Sequence, residues 1–471
     1  MERALLVAAP VLAVAAVALG LGVGGHGGVR AAIVSAAPPS AAGTGLAWQV
    51  VVLDEERGVR QPVAGLHLDA VATSDGRTVR TGCTTNVDGV GELLLGLPRA
   101  EGVHLEVRAG SELLAAGDAT GPKDLEAPAP GSPWLRFARR EGGIALDVAV
   151  LGERVAPGFP ARLWVRASDA ATHAPLPRAD VTIESDPGLT PLVPSGRTDS
   201  RGWAELVGTP VGLAVPLTLH ARREALAGDW MGGLFMSPGG ARLETRLRWG
   251  PSDAIEIEVQ SPVPRPSAYL EVDDAHGRAW AGALDLEPSR GATPSAVAHP
   301  PKLMPGLYWA VASDDPAGAS GLGAGTTVRP FFVAQNDETA LAFGPNPSAC
   351  APPVDSRETS RAMASCLALA VAVPVPRWTA IEGFTMHQAE GARRRARGLA
   401  IGLGALFAAV LLEVILLVRM AASTRARFAV DLDLTDAGAP VGAGRGWSVA
   451  VAVLVMLLGF ALLAAFLVRL A

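Results

Sequence analysis

The sequence predicts a mainly β chain: two to three tandem sandwich units beside two or three membrane-spanning helices. Three observations carry this. A nine-residue stretch occurs twice at a fixed distance, short segments of alternating apolar and polar residues fill the middle of the chain, and long uncharged runs lie towards both ends.

The repeated stretch is Thr85-Asn86-Val87-Asp88-Gly89-Val90-Gly91-Glu92-Leu93, which returns as Thr198-Asp199-Ser200-Arg201-Gly202-Trp203-Ala204-Glu205-Leu206. Asn and Asp hydrogen-bond nearby backbone and Gly tolerates positive φ, so the chain reverses at both places. The copies lie 113 residues apart, and the same offset sets Pro62 against Pro175 and Leu66-His67-Leu68-Asp69-Ala70 against Ala179-Asp180-Val181-Thr182-Ile183. Further upstream it sets Val50 and Val52 against Leu163 and Val165. Alternation with a period of two marks half-buried strands.

The chain divides accordingly. Residues 1–29 are a signal peptide or an N-terminal membrane anchor, with Ala16-Val17-Ala18 as a small-residue cleavage site inside an apolar run long enough to span. Residues 30–45 read as a tether, 46–120 as a first β-domain, 121–133 as a linker and 134–250 as a second β-domain. Residues 251–345 form a third β-rich domain, where Ile255-Glu256-Ile257-Glu258-Val259 alternates but the repeated stretch is missing. In 346–397, a short helix is expected over 358–371 and Cys350 stands 16 residues before Cys366; an oxidising compartment would join the two in a structural disulfide. Cys83 is left unpaired on a strand.

Residues 398–418 and 447–468 each supply about twenty apolar residues, or roughly 30 Å of helix, which matches a bilayer core. Gly398 and Gly402 form a GxxxG that would let helices approach closely. Glu413 is an intramembrane acid of candidate function. Arg393, Arg394, Arg395 and Arg397 form a juxtamembrane basic cluster suited to lipid headgroups. The inner loop, 419–446, alternates like a strand over 428–436.

Net charge is −6, with 40 basic and 46 acidic residues spread fairly evenly, which gives no electrostatic footprint for nucleic acid. Arginine outnumbers lysine because of base composition rather than phosphate recognition. The sequence holds no HExxH, GxxxxGK[ST], SxxK or GxSxG. His67, His104, His173 and His220 read as solvent-facing, Asp273-Asp274 as a solvated turn, and Asp431-Leu432-Asp433-Leu434-Thr435 lacks the α/β domain its chemistry needs. No catalytic, cofactor-binding or metal-binding residue is expected, and no cofactor.

Pro157-Gly158-Phe159-Pro160, then Leu163-Trp164-Val165-Arg166-Ala167, Pro175-Leu176-Pro177-Arg178-Ala179-Asp180-Val181 and Thr198-Asp199-Ser200-Arg201-Gly202 resemble bacterial immunoglobulin-like sandwich domains of the macroglobulin-like and carboxypeptidase-regulatory-like type. The resemblance implies two to three tandem Ig-like β-sandwich domains plus two or three transmembrane α-helices. It implies no activity, because such modules serve many functions and no Cys here precedes the Gly-Glu-Gln of a thioester. The expected protein is non-enzymatic, held in a bacterial cell membrane with its bulk extracytoplasmic, and binds or spaces protein partners of the envelope. The alternatives are an accessory or sensory subunit of a membrane complex and, more weakly, an envelope enzyme with a site between domains.

Overall fold

The structure is a computed structural model and describes residues 28–40, 46–97, 102–119, 134–135, 138–152, 155–184, 188–212, 215–234, 236–237, 239–287, 293–314, 325–347, 349–353, 355–370 and 375–432. The segments 4–25 and 447–468 and the linker 121–133 lie outside the described residues. The chain forms one compact unit over 30–384 and a second that contains 385–432.

Three β-sandwiches make up the first unit, each with its own apolar core. In the first, Leu46–Glu56 is flanked by Val29–Ala36 and Val59–Pro62 and also pairs with Val90–Leu95; the facing sheet runs Arg77–Thr84, His67–Ser74, His104–Ala109, Glu112–Asp118. Trp48, Val50, Leu68, Leu93 and Leu105 fill the space between. The second sandwich packs Ile144–Val150, Ala161–Asp169, Trp203–Pro210 and Leu189–Val193 against a five-stranded sheet centred on Val215–Arg223. The third sets three strands around Ile257–Gln260 against five ordered Arg248–Trp249, Thr327–Val333, Gly306–Ser313, Ser267–Asp273, Arg278–Asp285.

Two strands stand where none was expected. Residues 30–45 read as a tether, yet Val29–Ala36 is a strand whose Ala32, Val34 and Ala36 point into the first core. It pairs antiparallel with Trp378–Glu382, which returns from the segment assigned to a juxtamembrane role. Alanine is a weak strand former, so three buried alanines gave no alternation signal.

The offset between the repeats also needs correction. Val52 N donates to Gly89 O and Ala167 N to Gly202 O, both at 2.8 Å, while Val63 N donates to Val52 O and Leu176 N to Ala167 O, both at 3.0 Å. Val63 and Gly89 keep the 113-residue offset, but Val52 corresponds to Ala167, at 115. The first unit's turn through Val59–Pro62 is two residues longer. A slip of two leaves every side chain on its own face, so the pattern alone could not reveal it.

Between the second and third sandwiches lie two short helices. Asp337–Ala342 is capped by the Asn336 side chain, which accepts from Thr339 N at 2.8 Å. Thr359–Ala368 buries Met363, Cys366 and Leu367 against Trp164 and Trp203 of the second sandwich and Phe332 of the third. Cys350 and Cys366 are joined by a disulfide, with Cα atoms 4.8 Å apart.

Glu382 leads without a loop into a 50-residue helix, Gly383–Leu432, about 75 Å long at 1.5 Å per residue. It carries the chain past residue 419, so the first part of the expected inner loop is helical, and the strand read from 428 is helix as far as Leu432. Five alternating residues do not outweigh the alanines and arginines before them, which are strong helix formers. Among the described residues no helix is long and apolar enough to cross a membrane; the side chains of Arg394, Arg395, Gly402 and several neighbours within 398–418 lie outside them.

Gly58 and Gly202 hold the same left-handed conformation, φ +80° and +81°, but a Cβ on Gly58 meets open space while one on Gly202 would lie 2.5 Å from Ala167 O. Backbone strain alone costs ~1–2 kcal/mol, and forced overpacking adds ~1–3 kcal/mol. Gly58→Ala is therefore expected to cost the former only and Gly202→Ala both. Denaturant unfolding of the two variants checks this, and equal losses would contradict it.

Candidate functional site

Each hairpin tip is built twice with the same bonds. Thr85 Oγ1 donates to Val63 O at 2.7 Å and accepts from Leu66 N at 2.9 Å; Thr198 Oγ1 donates to Leu176 O at 2.7 Å and accepts from Ala179 N at 2.8 Å. Asn86 Oδ1 accepts from Asp88 N and Val90 N, both 3.0 Å, as Asp199 Oδ1 does from Arg201 N at 2.9 Å and Trp203 N at 2.8 Å. Threonine staples the tip to the preceding strand, the Asx side chain makes the turn, and glycine at positive φ closes it.

Both tips are docked on other parts of the chain. The first docks on the third sandwich: Tyr269 Oη donates to Asp88 Oδ2 at 2.7 Å, Ser267 Oγ donates to the same oxygen, and Asn86 Nδ2 donates to Tyr269 Oη at 3.2 Å. The second docks on the disulfide-clipped segment: Arg201 donates to Ala349 O and Ser365 Oγ, both at 3.2 Å, and Ser200 Oγ to Glu358 at 3.0 Å. An open cleft of about 880 Å³ lies beside the first tip, between Val87 and the Pro264-Arg265-Pro266 turn.

Behind the first tip runs a buried ion network. Gln49 and Glu92 stand opposite each other on paired strands, and Gln49 Nε2 donates to Glu92 Oε1 at 3.1 Å. Arg377 Nη1 donates to Gln49 Oε1 at 3.1 Å and the same guanidinium pairs with Glu271, which also accepts from Arg278 Nη1 at 2.9 Å. The strand carrying Arg278 is anchored in turn by residues next to Val29–Ala36: Arg278 N donates to Pro38 O at 2.8 Å and Ser40 Oγ to Asp274. Burial pushes Asp273 up to about 8, against the partial opposition of Arg278; it pushes Glu92 up, and brings Arg377 down to about 10. Asp273 Oδ1 has no hydrogen-bond partner among the described residues, which suits a neutral carboxyl.

This network corrects one expectation. Asp273-Asp274, read as a solvated turn, is buried at 2% and 8% exposure, because the third sandwich packs that turn against the start of the first. Glu271, Arg278 and Arg377 carried no sequence signal: each is a lone charge on or beside a strand, and only the packing of distant strands brings them together. Asn86, Asp88, Ser200 and Arg201 belong to the repeated stretch and are docking groups.

Cys83 is a free thiol, half-buried, with its Sγ over Gly91, and burial raises it to about 11. Arg393, Arg397 and Glu413 lie on the long helix, Gly398 with them. His67 and His104 are exposed, while His220 is raised mainly by its bond to Asp229 at 2.7 Å. Among the described residues no group of His, Cys, Asp and Glu could hold a metal.

No family model and no curated protein matches the chain. Among solved structures, it is similar to the Escherichia coli adhesin FdeC at 15% identity, over 65% of this chain and 96% of that one, with a TM-score of 0.17. Invasin, a bacterial integrin-binding protein, is 11% identical over 65% of this chain and 60% of its own, at 0.16. The E. coli alpha-2-macroglobulin is 10% identical over 66% of this chain and 22% of its own, at 0.17. Likenesses at these scores carry no argument about function, and the sandwich architecture stands on the strand pairings above.

The raised carboxyls make stability depend on pH. An acid whose folded pKa exceeds its unfolded value, near ~3.9 for Asp, contributes stability that is complete below the unfolded value and lost as pH rises through the folded one. Between pH 5 and 8 the melting temperature should therefore fall, and Asp273→Asn should make that fall shallower. Thermal unfolding across this range checks it; a variant slope equal to the parent's would remove Asp273 from the cause.

Proposed function

We propose that this is a non-enzymatic, membrane-anchored extracytoplasmic protein of a bacterial envelope whose Ig-like domains bind or space protein partners. The observation that carries the reading is the strand Leu189–Val193 of the second sandwich. It stands at the end of its sheet, pairing only with Trp203–Pro210 among the described residues. Leu192 and Val193 are 54% and 43% exposed, and Val211 nearby is 61% exposed. Pro191 and Pro194 lie on and beside this edge, a device that discourages self-pairing of an open edge. Apolar side chains beside a guarded edge suit side-chain contact with another protein better than strand addition. Anchoring rests on the apolar runs 398–418 and 447–468, with Gly398 and Gly402 available for helix association, Arg393, Arg394, Arg395 and Arg397 for lipid headgroups, and Glu413 as a candidate intramembrane acid.

One feature favours the second reading, an accessory or sensory subunit. Trp378–Glu382, held in the first sandwich, continues into the helix Gly383–Leu432 with no intervening loop. A Cβ on Gly383 would lie 2.2 Å from Leu114 O and 2.6 Å from Ala32 O, so the helix start is seated against the first sandwich. A displacement there has a direct mechanical route into the helix.

In cells, a photo-crosslinking residue at Leu192 of the full chain should capture a protein that one at the exposed Arg57 does not; capture at both sites or at neither would sink the edge-strand reading. Thiol alkylation of denatured, unreduced protein from the same cells tests the location. Only Cys83 should label, and labelling of Cys350 and Cys366 would place the body of the chain in the cytoplasm.

A further inference from the structure

A cavity of about 230 Å³ lies at the seam between the second and third sandwiches, lined on one side by Phe159 and Arg162 and on the other by Arg242, Glu244 and Arg329. It is far above the ~10–15 Å³ that one water needs, yet below the ~300–1,000 Å³ of sites for drug-sized ligands. Only a small occupant fits it.

The charges in it do not balance. Arg162 donates to Glu205 at 3.1 Å, and Arg242 is satisfied by Glu244 and by Gln260 at 3.2 Å, with its guanidinium 5.6 Å from the Phe159 ring. Arg329 has no such partner. Its Nε is fully enclosed without a hydrogen bond, and its side chain donates to no described residue. Burial, and then Arg162 and Arg242, bring its pKa down to about 10, against the partial opposition of Glu244, so it stays charged at neutral pH. A guanidinium carries five donors in a planar fork suited to oxyanions. Leaving it unpaired and largely out of water is costly, and the cost has no structural return at this position.

We propose that the seam between the second and third sandwiches holds a binding site for a small oxyanion, with Arg329 as its inner ligand and Arg162 and Arg242 as its walls. The walls come from different sandwiches, so an occupant links the two across the seam. Close packing supports a fixed seam: a Cβ on Gly152 of the second sandwich would lie 1.8 Å from Val328 O of the third.

The full-length protein, purified in detergent and exchanged into chloride buffer, is melted with sodium phosphate, sulfate or acetate at matched ionic strength. A rise of a few degrees with phosphate or sulfate assigns a tetrahedral oxyanion, and a rise with acetate alone assigns a carboxylate. Arg329→Met should abolish the rise while leaving the melting temperature in chloride unchanged or higher, since it removes an unpaired charge. No rise with any of the three anions, or the same rise in Arg329→Met, overturns the proposal. Should that variant fail to fold, Arg329→Lys reads the same question. It keeps the charge without the fork and should weaken anion binding by about tenfold, the scale of one lost charge-assisted hydrogen bond; binding as tight as the parent's overturns the proposal.

Discussion

The antiparallel pairing of Val29–Ala36 with Trp378–Glu382 is the constraint on which the rest depends. These strands come from opposite ends of the 30–384 unit, and both contribute to the first core through Ala32, Val34 and Ile381. The first sandwich is complete only when the chain has passed through the second, the third and the disulfide-clipped helices and come back. Closing so long a loop costs little more than closing a shorter one, since each doubling adds only ~0.6 kcal/mol. The price is kinetic: contacts this distant in sequence form late and make folding slow. In return, the three sandwiches form one compact unit.

The two joints within that body work by different physics. The second joins the third through an apolar cluster, with Trp164, Trp203, Phe332 and Leu367 around the clipped helix. Such burial is non-directional and supplies stability in proportion to area. The first joins the third through Glu271, Arg278, Arg377, Gln49 and Glu92, where desolvation offsets most of the Coulombic gain. What the polar joint contributes is discrimination. Any other placement leaves buried charges unpaired, and breaking such a pair costs ~3–5 kcal/mol. An apolar joint tolerates sliding and a polar one does not.

The sequence made the strands, the tandem repetition and the turn chemistry legible, because each is a local pattern: alternation over Leu66–Ala70, Gly where φ must be positive, Thr and Asx at fixed distances from it. It hid three things for three reasons. Val29–Ala36 is too rich in alanine to alternate visibly. The 115-residue separation of Val52 from Ala167 preserves parity with the 113-residue offset. The ion network is non-local, since Gln49, Glu271 and Arg377 share neither segment nor spacing. The helical pattern from Thr385 into the apolar run 398–418 was plain, but composition gave no hint that the helix would extend to Leu432.

The repeated hairpin divides its labour by position. Thr85, Asn86 and Gly89, like Thr198, Asp199 and Gly202, are committed to the turn by staple, Asx bond and positive φ, and alternatives there are few. The two positions between Asx and Gly are free of that duty, and they hold most of the docking chemistry, to which Asn86 Nδ2 adds one bond to Tyr269. At the first tip they are Val87 and Asp88, and Asp88 accepts from Ser267 and Tyr269. At the second they are Ser200 and Arg201, and Arg201 donates to Ala349 O and Ser365. One tip presents an anion to donors; the other presents a cation to acceptors. Exchanged, each would face a surface of unsatisfied like polarity, which is how related modules avoid each other's docking sites. The same fold element thus serves two joints, with identity set by two residues that the turn does not need.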